Sequence, residues 1–214
     1  MTMIFLSLVR NLGFIEMKRA DKVFSLMEKF AQERFEQSQV LIEKYFDKNA
    51  EEIAAVIVSA FSEAFSQAAQ LQQTSDKGFA RYLVISHLYS SIQSGGYCLK
   101  LDVFDQSFYA DIHEVDVYLS LNWLHKYFEE DILYFKEKLL AANVYRIREY
   151  EIEQVRYRYI YYYHGIVKKI ITDNITELMS LIEVCGMAVD SEFEVMFGGY
   201  LDKAVVIYPE AERV

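Results

Sequence analysis

Residues 79–104 read FARYLVISHLYSSIQSGGYCLKLDVF, and the fold class turns on where helix gives way to strand within them. Phe79, Tyr82, Leu83, Ser86, Tyr89 and Ile92 recur at spacings of three and four, which predicts a helix stopped by Gly95-Gly96. From Tyr97 the period becomes two. Tyr97, Leu99, Leu101 and Val103 alternate with Cys98, Lys100, Asp102 and Phe104, the rhythm of a strand, and Asp105-Gln106-Ser107 supplies its turn. Val115, Val117, Leu119 and Leu121 alternate in the same way over 112–121, so a small hairpin is expected across 97–121.

Elsewhere the helical period dominates. Val23, Leu26, Phe30, Leu41 and Tyr45 mark one long amphipathic helix from Lys18 to Phe46. Asp47-Lys48-Asn49 interrupts it, and Asn49 followed by Glu52 has the spacing of a capping box that starts a second helix. That helix carries Ile53, Ile57, Ala60, Ala64, Ala68 and Leu71 on one stripe, whose alanines suit a closely packed neighbour, and Thr74-Ser75-Asp76 ends it. Trp123, Leu124, Phe128, Ile132, Phe135 and Leu139 predict a further helix. A longer one is expected from Asn143 to about Ile171, broken at Thr172-Asp173-Asn174, and a short one ends near Gly186. The tail FEVMFGGYLDKAVVIYP, residues 193–209, predicts two short strands about Gly198-Gly199. The expected fold is therefore mainly α. It is a bundle of five to six long helices with one or two small β-hairpins (central 97–121 and C-terminal 193–208). It forms one helical domain over 1–214, in which residues 1–16 fit an over-extended start ahead of Met17-Lys18-Arg19.

Composition narrows the function classes. The hydrophobic fraction of 53% and charged fraction of 25% are those of a globular chain, and one proline with eight glycines favours long helices. A formal net charge of −10 repels phosphate backbones and anionic lipid, so neither nucleic acid nor membrane is an expected partner. The apolar run Met3–Val9 is far too short to span a bilayer. Cys98 and Cys185 lie in apolar surroundings, far from any paired motif. They read as free thiols of a reducing compartment, which predicts a cytoplasmic protein.

Glycine-rich phosphate cradles, a GxSxG elbow, CxxC and HExxH are all missing, so no cofactor is expected. Asp102, Asp105, Asp111, His113, Glu114 and Asp116 gather around the predicted hairpin. Oxygen ligands with one imidazole suit a hard divalent cation, but a charged hairpin edge accounts for the same pattern. Asp102, Asp105, Asp111, His113 and Asp116 are the candidate ligands, and no metal is expected.

The stretch RYRYIYYYH, residues 156–164, falls within the longest downstream helix. Ile152, Val155, Tyr159, Tyr162, Ile166 and Ile170 form a continuous apolar stripe there, with tyrosine hydroxyls reaching polar partners. Glu149, Glu151 and Glu153 interleave with Arg146, Arg148, Arg156 and Arg158, which disperses the basic charge. Arg158 and His164 also fit Arg-x5-His, which resembles the R-x4-6-H motif of the all-helical HEPN-type ribonucleases. That resemblance implies metal-independent RNA cleavage, with histidine and arginine acting on the 2′-hydroxyl and the phosphate. A second match joins Arg81 and His87. The family usually places a small polar residue directly after the arginine, where this chain has Tyr159 and Tyr82.

The expected function is a non-enzymatic helical interaction or regulatory protein that forms a homodimer through its long helices and has room for a protein partner. The alternatives are the HEPN-like ribonuclease built on Arg158 and His164, and a helical pocket for an apolar small ligand lined by Phe, Tyr and Met.

Overall fold

A computed structural model describes residues 2–142 and 146–209, with side chains from Asp21 onward. Among these residues are five α-helices and a five-stranded mixed sheet, which corrects the all-α bundle with small hairpins. The correction originates at Ala80–His87, expected in a helix and found as strand β1. Leu83-Val84-Ile85 is a short apolar run, β-branched at Val84 and Ile85, whose side chains are buried on both faces. A strand covered on both faces has no need to alternate, and such a run also matches a helical template by chance. The fourth and fifth letters of that template, Ser86 and Tyr89, belong to different elements.

Once β1 is a strand, the two expected hairpins become the flanks of one sheet. β1 pairs antiparallel with β2 (Cys98–Phe104), setting Ser86 opposite Lys100 and Val84 opposite Asp102. On its other side it pairs parallel with β4 (Val189–Gly199), with Leu83 opposite Val195 and His87 opposite Gly199. β3 (Val117–Ser120) extends β2, and β5 (Ala204–Tyr208) extends β4, giving the order β3-β2-β1-β4-β5. The turn before β5 presses on β4. A Cβ at Gly198 would lie 2.3 Å from the Lys203 carbonyl oxygen and 2.4 Å from the Ala204 Cα, so only glycine admits that approach.

The helices are α1 (Thr2–Gln73), α2 (Tyr89–Ser94), α3 (Asn122–Ala141), α4 (Glu149–Asp173) and α5 (Ile175–Cys185). The two helices expected on either side of Asp47-Lys48-Asn49 are found, run together within α1 across a kink at Asn49. Only Asn49 leaves helical geometry, and its side-chain amide donates back to the Tyr45 carbonyl at 2.7 Å. The asparagine thus repays the carbonyl freed by the kink instead of capping forward toward Glu52. Gly95 does stop a helix: it closes the short α2 in the left-handed conformation, while the Gly96 N–H donates to Ser91 O at 2.9 Å. Glu151 accepts from the Arg148 N–H at 2.8 Å and so secures the first turn of α4. The predicted helix start at Asn143 lies outside the described residues, as do the side chains of residues 1–16.

The chain forms two compact units, Met1–Lys44 with Lys126–Tyr162 and Tyr45–His125 with Tyr163–Val214. The first is organised about Asp131 on α3, which is fully buried. Its carboxylate accepts from Arg34 Nε at 2.6 Å, Ser38 Oγ at 2.7 Å and Tyr159 Oη at 2.6 Å, joining α1, α3 and α4. The Phe128 and Phe135 rings pack against Tyr159, with centroids at 6.3 and 4.7 Å. The second unit contains the sheet. Gln72 seats β4 beside β1 by donating to Ala188 O at 2.7 Å and accepting from Ala188 N at 2.8 Å. No helix among the described residues is long and apolar enough to cross a membrane.

Candidate functional site

Two helix breaks in the second unit frame an apolar groove of about 340 Å³. One is the Asn49 kink in α1, and the other is Asn174, between α4 and α5. From α1 come Phe46, Ala50, Ile53, Ala54, Ile57 and Val58; opposite them stand Ile170 of α4 and Leu178 of α5. The same period that buries Ile53 and Ile57 brings their stripe to the groove floor, while Ala50 and Ala54 are too small to fill the space above it. The polar side chains of the lining are Asn174 and Glu177, at the α4–α5 junction. Phe46 is also 6.3 Å from the Trp123 ring, which couples the chain's single tryptophan to the groove. The sequence names Ile53, Ile57 and Ile170 as core positions. It does not show that they share a groove, and its expected Tyr and Met lining is replaced by aliphatic side chains. The two asparagine breaks were the available signal.

The acidic residues do not converge. Asp111 is buried against the Lys77 ammonium and accepts from the His113 N–H at 3.0 Å and the Asp105 N–H at 3.2 Å. Burial opposes its charge, yet Lys77 and these N–H groups hold its carboxyl below the usual range. Asp105 accepts from the Ser107 N–H at 2.7 Å and shapes the turn after β2. His113 gives its carbonyl to Lys77 Nζ at 2.8 Å. Asp102 faces the opposite way, into a buried pair with Lys100 at 2.9 Å, and Asp116 stands 3.9 Å from the same ammonium. Burial pushes the Asp102 carboxyl up despite Lys100. Ser86, directly across from Lys100, is buried with Oγ unbonded, as is Asp102 Oδ2. Among the described residues, no group of three His, Cys, Asp or Glu side chains is arranged to hold a metal ion.

Arg158 and His164 occupy different surroundings along α4. The Arg158 guanidinium lies over the Phe24 ring at 3.7 Å and 3.9 Å from Glu28. His164 is 6% exposed and stacks on His87, with ring centroids 4.5 Å apart. Burial, helped by the nearby His87, pushes its imidazole down to about 3. Arg81 is engaged by Asp190 at 3.1 Å and by Glu192, six strand positions from His87. In the tyrosine stretch, the buried stripe runs Val155, Tyr159, Tyr163, Val167 and Ile171, at a constant spacing of four. Beyond Tyr159 it is therefore rotated one residue from the predicted Tyr162, Ile166 and Ile170. No family model, curated protein or solved structure matches this chain.

Proposed function

We propose that the protein is a non-enzymatic binding protein whose groove between α1 and the α4–α5 junction takes a small apolar ligand. One observation carries this: the groove's volume of about 340 Å³ and its aliphatic walls, open beside two polar side chains. Small-molecule sites are mostly apolar clefts of roughly 300–1,000 Å³ with a few placed polar groups. Titration with 1-decanol is expected to give a saturable change in Trp123 emission, transmitted through Phe46. Ala54→Phe, at an exposed helical position that lines the groove, is expected to abolish it with little loss of stability. An unsaturable response, identical in the variant, would exclude the groove as the site. Cys98 and Cys185 are both free thiols, which supports placing this protein in the reducing cytoplasm.

We also infer self-association, from a different feature. Leu133 and Leu140 of α3 are 57% and 51% exposed and lie two turns apart on one side of the helix, while Val40 and Leu41 of α1 are half exposed. Two-fold pairing is the commonest way to cover such positions. Light scattering is expected to give a mass near twice 25.1 kDa. A mass near 25.1 kDa that is unchanged on concentration contradicts the dimer.

A further inference from the structure

We propose that the groove selects an amphiphile with a primary ammonium head, resting on the reading of the groove as a ligand site. The basis is the chemistry of its polar side chains. Among the side chains lining the groove, Glu177 is the only charged one and Asn174 the only other polar one. The Asn174 amide nitrogen donates one of its two hydrogens to the Ile170 carbonyl at 2.8 Å. What remains for a ligand is the amide oxygen and second N–H of Asn174 and the carboxylate of Glu177. Acceptors therefore outnumber donors among these side chains, and the one charge is negative.

A ligand carboxylate or phosphate would find one side-chain donor, the second N–H of Asn174, and would be repelled by Glu177. A hydroxyl could satisfy one of the acceptors with its single proton. An ammonium brings three donors and the complementary charge, and a chain of net charge −10 raises the local concentration of cations generally. The groove sets the apolar length. At roughly 30 Å³ per non-hydrogen atom, taken from the share of a water molecule in the liquid, it holds about eleven such atoms. Decylamine is a probe of that size.

Calorimetric titration with decylamine, 1-decanol and decanoate tests the selectivity, repeated on Glu177→Gln. Glu177 is exposed in the first turn of α5, and glutamine preserves its shape. Wild-type protein is expected to bind decylamine about five- to tenfold more tightly than 1-decanol, and decanoate least well, as for a partly exposed charge pair. Glu177→Gln is expected to erase the advantage of the amine over 1-decanol. Equal affinity for decylamine and 1-decanol in the wild type overturns the ammonium head and leaves the apolar groove standing. So does an amine preference that survives Glu177→Gln, because it then reflects the overall negative charge. Failure of all three probes to saturate overturns the groove itself, and the head-group selection with it.

Discussion

Asp131→Ala is expected to lower the unfolding free energy by about 3–5 kcal/mol, the usual cost of removing one partner from a buried ion pair. Asp131 is completely buried, and three donors converge on it from two other helices. Without the carboxylate, Ser38 and Tyr159 each lose a buried acceptor, at about 1–3 kcal/mol apiece where water cannot replace it. Arg34 suffers less, because its side chain retains 20% exposure and can rehydrate. Asp131→Asn keeps the shape and one acceptor oxygen, so its loss should be smaller, about 1–2 kcal/mol. Urea denaturation at constant slope measures both. A change below about 1 kcal/mol in Asp131→Ala would show that the helices of the first unit are held by apolar packing alone.

Acidification should destabilise the second unit through His164. Its folded imidazole titrates at about 3, whereas an unfolded histidine takes up its proton at about 6.5. A depressed folded value stabilises the protein above the unfolded value. That contribution is lost as pH falls from about 6.5 toward about 3, because the unfolded chain binds a proton that the buried ring refuses. Between neutrality and about pH 4 the loss from this residue is about 3 kcal/mol. His87 adds in the same direction: burial lowers it, and Asp202 only partly compensates. Carboxylates titrate over the same interval, so the measurement is the difference between wild type and His164→Phe. The difference should shrink by about 3 kcal/mol across that interval. A constant difference at every pH would mean that the folded protein accepts the proton freely.

Periodicity disclosed the elements whose sequence itself alternates or repeats, even in β2, where Lys100 and Asp102 supply the polar intervals although both faces are buried. The alternation in Leu99, Leu101 and Val103 predicts β2, and the stripe through Val155 and Tyr159 predicts the start of α4. It failed at β1, where Leu83-Val84-Ile85, covered on both faces, leaves no polar interval to reveal a period of two. It also drifted along α4, because a strict spacing of four advances around a helix of 3.6 residues per turn, carrying burial from Tyr159 to Tyr163 rather than Tyr162. The groove was legible only in pieces. Ile57 and Ile170 are plain apolar positions in the chain, and their meeting depends on the α4–α5 junction. The acidic cluster shows the converse, for closeness in sequence put Asp102 and Asp111 together while the hairpin aims them at different lysines.

The parallel pairing of β1 with β4 also has a kinetic side. More than a hundred residues separate these partners, so the ladder at the middle of the sheet closes a long loop, the kind of contact that forms late and slowly. During synthesis β1 can zip onto β2 at once, across a short connection, yet its other edge must wait for β4 to emerge. That waiting edge carries Leu83-Val84-Ile85, an uncharged apolar run of the type that recruits strands from neighbouring chains. The nascent protein therefore passes through an interval in which its future centre is an open border, and its yield in a cell depends on how briefly that border stays open.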